Sequence, residues 1–577
     1  MKVRYFIMLV LFTALIMIFE ACNKSTEPES NTQTVTNAAL DTSTVNSKDH
    51  EDANDYLWNT SNVIPIVLNG TSITASTSGA AVNGSILTIT SSGTYSISGT
   101  LNNGQIIVNT EDKAIVRLIL NGVNISCSAS APIYVKKAEK VILCLSDNTT
   151  NTLVDGSIYI LENAAIDEPN AALYCKSNLT IFGNGTLKVS GNYNDAIAST
   201  DGLIIKSGNI NVSSKDDGIR GKDYLIVRDG NVTVNAKGDG LKSDNSEDAT
   251  KGYIQIENGT FDITSTGDAI AAETDVIIKK ANISITSGGG SSKTVSSTES
   301  AKAIKGIVNV LIEGGSFNIS SADDALHSNG YITLNNGTFI ISSGDDGLHA
   351  DKAIKINNGN IKITKSVEGI ESGNITVNNG QLNITASDDG FNSTYGSGGE
   401  NNDGSCLTLN GGNISVNTSR GDGLDSNGSI VMTGGTVVVH GPASNPEVGA
   451  DYNGTFNISG GLLIFTGPNS GNMIEATSAS SGQYTVKATA SSQVAASTLF
   501  HVQDESGNDV ITFQPVRNFY YIVFSSPVLK SGAAYYIYTG GTSTGTNSNG
   551  LYTGGTYSGG TQRKSFTISG KVTSVSF

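Results

Sequence analysis

The chain has 577 residues, a formal charge of −17, 66 glycines, nine prolines, one tryptophan and only 15% charged residues. A hydrophobic content of 38% excludes wholesale disorder, while low charge and abundant Gly, Asn, Ser and Thr argue against coiled coils and helical solenoids. The negative balance argues against a nucleic-acid partner, which needs clustered Lys and Arg, and suits solubility or divalent cations.

The chain starts with Lys2 and Arg4, then an almost wholly apolar run from Phe6 to Phe19. That run has the length of a signal h-region and is short for a membrane span. It ends in Phe19-Glu20-Ala21-Cys22, which resembles a bacterial lipobox with Cys22 as the lipidated residue. Residues 1–22 are therefore expected to be a lipoprotein signal, and 23–57, polar and without apolar periodicity, a flexible tether. The protein is expected to be extracytoplasmic, held at the outer membrane or cell surface through that lipid alone. Cys127, Cys144, Cys175 and Cys406 are widely spaced with no C-x-x-C pair, so buried free thiols are expected rather than zinc or redox sites.

From residue 195 a short acidic turn recurs. Its positions are Asp195, Asp217, Asp239, Asp268, Lys302, Asp324, Asp346, Glu368, Asp389 and Asp422, in steps of 22, 22, 29, 34, 22, 22, 22, 21 and 33 residues. The basic period is 22, with three insertions. Each unit, for example 331–352, holds two short alternating segments around an Asn-Gly corner, then an acidic Gly corner and a third, very short segment. Alternation over four or five residues implies strands with one buried face. Twenty-two residues with three strands and three corners close one coil of a parallel β-helix, stacked at about 4.8 Å per coil. The expected fold is all-β: a solenoid over 58–475, irregular in its first coils, with a β-rich cap over 476–577. The cap loses the period and holds eight of the twenty tyrosines. A tyrosine sugar platform there is the sharper alternative.

Stacking turns the repeat into ladders. The acidic slot would place carboxylates one coil apart, and the preceding slot adds Asp216, Asp323, Asp345 and Asp388. Two such charges repel by roughly 1 kcal/mol in water and several-fold more where the dielectric is lower. Calcium, which accepts six to eight oxygens in flexible geometry, is the expected cofactor. The candidate ligands are Asp216, Asp217, Asp239, Asp244, Asp323, Asp324, Asp345, Asp346, Asp388, Asp389, Asp422 and Asp425. The bland alternative is that Asp-Gly merely builds a tight corner.

The residue after each short-segment apolar position forms a second file: Arg220, Lys242, Ala271, Lys305, His327, His349, Glu371, Asn392, Asp425, Asp451. A solvated polar face is the plain reading; a transition-metal site at the two histidines lacks a defined third ligand. Two insertions, 244–248 and 399–403, follow the short segment and are rich in oxygen ligands, so that edge is the expected binding face. The third, around Gly288-Gly289-Gly290, reads as a flexible bulge.

The stretches 167–172, Asp216-Asp217-Gly218-Ile219-Arg220-Gly221-Lys222, Asp239-Gly240-Leu241-Lys242-Ser243-Asp244, 421–428 and Ala450-Asp451-Tyr452 resemble the bacterial carbohydrate-binding domain proteins built on a calcium-binding right-handed parallel β-helix. The resemblance spans about 63–570. It implies binding of plant cell-wall glycans, particularly acidic polygalacturonate, by a monomer without established cleavage. Lys302 and Val367 interrupt the doubled-acid pattern. A polyanion on an acidic protein needs calcium bridging or the local cations Arg220, Lys222 and Lys242, with His327 and His349 as further sugar contacts. Trp58 lies at the tether's end, so a tryptophan platform on the solenoid is excluded. Two alternatives stand beside glycan binding. One is a calcium-dependent polysaccharide lyase using an Arg or Lys base beside the metal. The other is a structural adhesin or spacer with stabilising calcium.

Overall fold

The computed structural model describes residues 45–76, 79–161, 163, 165–296, 298–396 and 401–577. The signal segment, Cys22, the first part of the expected tether and Gly399-Glu400 lie outside the described residues.

The described chain is all-β. One sheet of 47 strands dominates, and through its middle each strand pairs in parallel with the strand three places later. Three ladders follow. The short ladder runs through Ile219–Gly221, Leu241–Ser243, Ile270–Ala272, Ile304–Gly306 and Leu326–Ser328. A second, largely apolar ladder contains Gly202–Ile205, Tyr224–Val227, Tyr253–Ile256 and Asp275–Ile278. The third alternates strictly, as in Asn231–Ala236 and Thr260–Ser265. Its registers join Val232 to Phe261, Phe261 to Ile283 and Phe317 to Phe339, so like positions stack. The insertions fall between strands and leave the registers intact.

Period-2 alternation sends one side of the third ladder inward. Phe317 and Phe339 stack face to face at 4.6 Å between centroids. In the short ladder Ile219, Leu241, Ile270, Leu326, Leu348 and Phe391 are fully buried. Each buried aliphatic chain contributes about 1.5–3 kcal/mol, and one contiguous core runs from Ile66 to Val523. The four cysteines away from the amino terminus are buried free thiols; burial pushes Cys175 up to about 12.

Two kinds of glycine make the corners. In the Asn-Gly corners Gly337 and Gly359 have φ of 134° and 135°, where a side chain would be strained. The glycines of the acidic corner are not at positive φ. A Cβ on Gly347 would lie 2.5 Å from the Gly369 carbonyl oxygen, so that slot is small because successive coils approach closely there.

At the carboxyl end, Leu462–Gly467 pairs antiparallel with Phe519–Ser525. The coil-by-coil stacking stops there, although Thr485–Val494 still pairs in parallel with Val572–Ser576, and a separate six-stranded antiparallel sheet follows. A second core around Phe500, Phe513, Phe524 and Ile537 fills this region. Residues 45–57 depart from the expected tether. They lie on the second ladder, where Asp49, Glu51 and Asp55 pair with basic side chains of the sheet. No described helix is long and apolar enough to cross a membrane.

Candidate functional site

The acidic corners do form a continuous edge, and its construction is more specific than a file of charges. Each aspartate receives the backbone N–H of the same slot one coil later. Asp195 Oδ1 accepts from Asp217 N (3.0 Å), Asp217 Oδ1 from Asp239 N (2.9 Å), and Asp239 Oδ1 from Asp268 N (2.8 Å). The chain resumes with Asp324 to Asp346 N, Asp346 to Glu368 N (both 3.1 Å) and Asp389 to Asp422 N (2.6 Å). One carboxylate oxygen per coil thus satisfies an N–H that the corner would otherwise leave unpaired. The second oxygen is free to face a cation.

What it faces changes along the edge. Lys242 Nζ lies 3.0 Å from Asp217 Oδ2 and 2.9 Å from Asp239 Oδ2. Lys305 lies 3.1 Å from Asp268. Lys302, the basic residue in the acidic slot, bridges Asp323 (2.7 Å) and Asp324 (2.9 Å). His327 Nδ1 is 2.9 Å from Asp324 Oδ2; His349 Nδ1 is 3.1 Å from Asp346 and 3.0 Å from Glu371. The two imidazoles stack at 5.2 Å. Burial would raise Asp324, but hydrogen bonds from His327 and Lys302 hold it well below the ordinary carboxylate range. Burial likewise opposes the His349 imidazolium, yet Asp346 and Glu371 raise it to about 11.

Beyond Glu368 these cations cease. Among the described residues no Lys or Arg pairs with Glu368, Asp389, Asp422 or Asp425. Burial and neighbouring carboxylates push Glu368, Asp389 and Asp422 up to about 8 and Asp425 up to about 9. Oxygens of Asp422, Asp425 and Asp451 lie within 4.8 Å of one another, as do those of Asp346, Glu368 and Glu371. Asn392 sits between Glu371 and Asp425 in the strand register. Its Nδ2 donates to Glu368 (2.9 Å), while its buried Oδ1 has no partner.

The outward file has the order Arg220, Lys242, Ala271, Lys305, His327, His349, Glu371, Asn392, Asp425, Asp451 in the strand registers. Of the candidate ligands, Asp216 groups with Asp195 and Asp217, and Asp345 with Asp323 and Asp324. Asp388 is exposed beside Asp389. Asp244 stands apart: its carboxylate is taken by Arg220, at 3.0 Å from Nε and 2.9 Å from Nη2. Of the candidate sugar contacts, Arg220, Lys242, His327 and His349 are thus engaged by protein carboxylates, and Lys222 lies 3.9 Å from Glu247. Asp195, Glu368, Glu371 and Asp451 belong to the same clusters and are additional to the candidate ligands named from the sequence. Membership of the two stacked files is the signal that finds them.

The loops also redistribute. Segment 244–251 turns toward the second ladder, where Lys251 pairs with Asp223 at 2.8 Å. The third insertion is the one beside the acidic edge: Ser300 Oγ donates to Asp268 Oδ1 at 2.6 Å. With Lys302, Asp323 and Asp345 that insertion encloses a cavity of about 640 Å³.

A family model described as carbohydrate-binding domain-containing protein matches residues 83–347 and 346–512. A carbohydrate-binding domain-containing protein of Acetivibrio thermocellus is 47% identical over 201 residues, which are 35% of this chain and 70% of that protein. A solved polysaccharide lyase-like protein from C. thermocellum, in a gadolinium derivative, is 35% identical; the match covers 44% of this chain and 96% of that one, with a TM-score of 0.39.

Proposed function

The chain belongs to the carbohydrate-binding domain-containing protein family, and from that premise we propose that it is a calcium-dependent binder of acidic polysaccharide such as polygalacturonate. Calcium sits on the carboxyl-terminal stretch of the acidic edge. The observation that carries this reading is the slot Glu371, Asn392, Asp425 and Asp451, in which no residue is itself a lysine or arginine and which contains a buried amide oxygen without a partner. The donor set fits calcium: carboxylates and an amide oxygen, no thiol, and crowding that raises Glu368, Asp422 and Asp425 so that a cation would relieve it. Asp422, Asp425 and Asp451 would hold one ion and Glu368 and Glu371 another, with Asn392 between the two groups in the strand register. A bound ion supplies the positive charge that lets an acidic sugar chain approach a protein of charge −17.

Three further parts belong to the same reading. The ladders wind as a right-handed parallel β-helix over 58–475, supported by the pairing of each strand with the one three later. Residues 476–577 close its end. Cys22 anchors a monomer outside the cytoplasm through lipid. The lyase alternative requires a free base beside the metal. Arg220, Lys242 and Lys305 are all ion-paired, and no observation singles one out.

Pull-down of the full chain on polygalacturonate, with calcium and with chelator, tests the proposal. Binding is expected to be tight in calcium and at least tenfold weaker in chelator. Equal binding in both removes calcium from the mechanism.

A further inference from the structure

The second ladder carries an unusual cover. Strands Gly202–Ile205, Tyr224–Val227 and Tyr253–Ile256 are buried on both faces. Their outward residues Ile204, Tyr224, Ile226 and Tyr253 form an apolar cluster separate from the core. What covers them is residues 45–58, which contain no strand. Charge and rings hold this segment in place. Arg228 pairs with Glu51 and, at 3.0 Å, with Asp49; Lys206 lies 3.0 Å from Glu51. Lys140 pairs with Asp55, and Arg117 donates to the Asn54 and Asp55 carbonyls at 2.6 and 3.2 Å. The His50 ring lies flat on Tyr224, 3.8 Å away at 15°, and Tyr224 stacks on Tyr253 at 5.9 Å. A cavity of about 310 Å³ remains between His50, Lys48, Tyr224 and Tyr253, the size of a small-ligand site.

Beneath the segment, then, lies a basic strip of Arg117, Lys140, Lys206 and Arg228 beside stacked tyrosines, in a protein that is otherwise acidic. A ring lying flat on an aromatic face, with carboxylates clasped by guanidinium and ammonium on either side, is also the arrangement that would hold a uronic acid residue. An apolar cover would have closed the patch without largely burying Arg228, Lys140, Glu51 and Asp55. We propose that this strip is a second binding site, for a carboxylate-bearing sugar chain, and that Asp49-His50-Glu51 occupies the ligand's place until the sugar displaces it. The inference rests on the glycan-binding reading but not on calcium, because the strip supplies its own positive charge.

The test uses the full chain in chelator throughout. The double substitution Asp49→Asn and Glu51→Gln weakens the cover. It is expected to raise affinity for oligogalacturonate about tenfold or more, as a masked site becomes populated. A neutral cello-oligomer of the same length should gain nothing, and adding Arg228→Gln should abolish the increase. An unchanged oligogalacturonate affinity, or an equal gain for the neutral oligomer, overturns the proposal. A second measurement needs no variant: saturating oligogalacturonate should speed amide exchange at residues 46–57 of the unmodified protein. Unchanged exchange sinks the idea, as does opening by polyglutamate without opening by the sugar, which would mark an acidic peptide as the partner. Calcium-dependent pull-down without any chelator-resistant gain would reject this site and leave the calcium reading standing.

Discussion

The two stretches of the acidic edge share a backbone and differ in who supplies the cations. From Asp217 to Asp346 the outward carboxylate oxygens meet Lys242, Lys305, Lys302, His327 and His349. From Glu368 to Asp422 the same corner repeats without a Lys or Arg ion pair among the described residues, and its acids are pushed far above their ordinary range. Aspartate is common to both because its Oδ1 closes the N–H of the next coil. The charge on Oδ2 is a by-product that must be neutralised. One stretch carries its counter-ions in the sequence; on the proposed reading the other would take them from solution.

The strongest way to break this comparison is to remove a resident cation. Lys302→Met leaves Asp323 and Asp324, whose side chains are 13% and 5% exposed, without their ammonium group. A loss of about 3–5 kcal/mol is expected in chelator, typical of a buried pair deprived of one member. Millimolar calcium should restore much of it, as read by denaturant unfolding. A calcium-insensitive loss would mean that Lys302 is not standing in for an ion.

The converse experiment removes a carboxylate. Calcium at a hundredfold excess over its dissociation constant should stabilise the protein by about 2.7 kcal/mol per site. Asp425→Asn should erase most of that increment. Asp217→Asn should destabilise the fold through Lys242 yet leave the calcium increment whole. If both substitutions reduce the increment equally, ions are spread along the whole edge and the two stretches are alike.

Acidity sets the last acids of the edge and Asp324 apart with opposite signs, while Asp195 and Asp346 in the first stretch are also raised, to about 8 and about 7. Asp389 and Asp422 near 8 and Asp425 near 9 bind protons more tightly in the folded chain than in the unfolded one. Their contribution is therefore present at and below the ordinary carboxylate range and lost as pH rises through about 8 to 9. Asp324, held low, contributes above that range and loses its share as pH falls. In chelator the melting temperature should drop between about pH 6 and pH 9. Calcium, or Asp425→Asn, should flatten that slope.

Much of this was legible in the sequence because a 22-residue step fixes which residues stack. The outward file from Arg220 to Asp451 is in the sequence order that the step implies. The use of Asp Oδ1 was not legible, since an inter-coil N–H has no signature in a linear chain. Nor was the cover over 45–57: its polarity resembles a tether, and only the sheet reveals Arg228 and Lys206 waiting opposite. A hint did exist in the second ladder, where Leu203-Ile204-Ile205 and Leu225-Ile226-Val227 run apolar on both faces, the pattern of a strand covered twice. The glycine-rich third insertion reads as a flexible bulge, and nothing in its composition marks its place beside Lys302 and Asp323.

A neutral ladder elsewhere on the same coils supplies the mildest and cleanest comparison. Asn357 Nδ2 donates to Asn335 Oδ1, Asn378 to Asn357 (both 2.7 Å) and Asn410 to Asn378 (2.9 Å). Each amide is donor to one neighbour and acceptor from the next, so the file satisfies itself without any ion. Asn378→Ala should cost about 1–2 kcal/mol, the scale of two part-buried hydrogen bonds. That cost should be identical in calcium and in chelator, and should not change between pH 6 and 9 because amides do not titrate. A calcium-dependent cost at Asn378 would mean that the ion acts by tightening the coils in general. An unchanging one locates the calcium response in the carboxylates themselves, because the same stacking with amides in place of acids leaves no charge to neutralise.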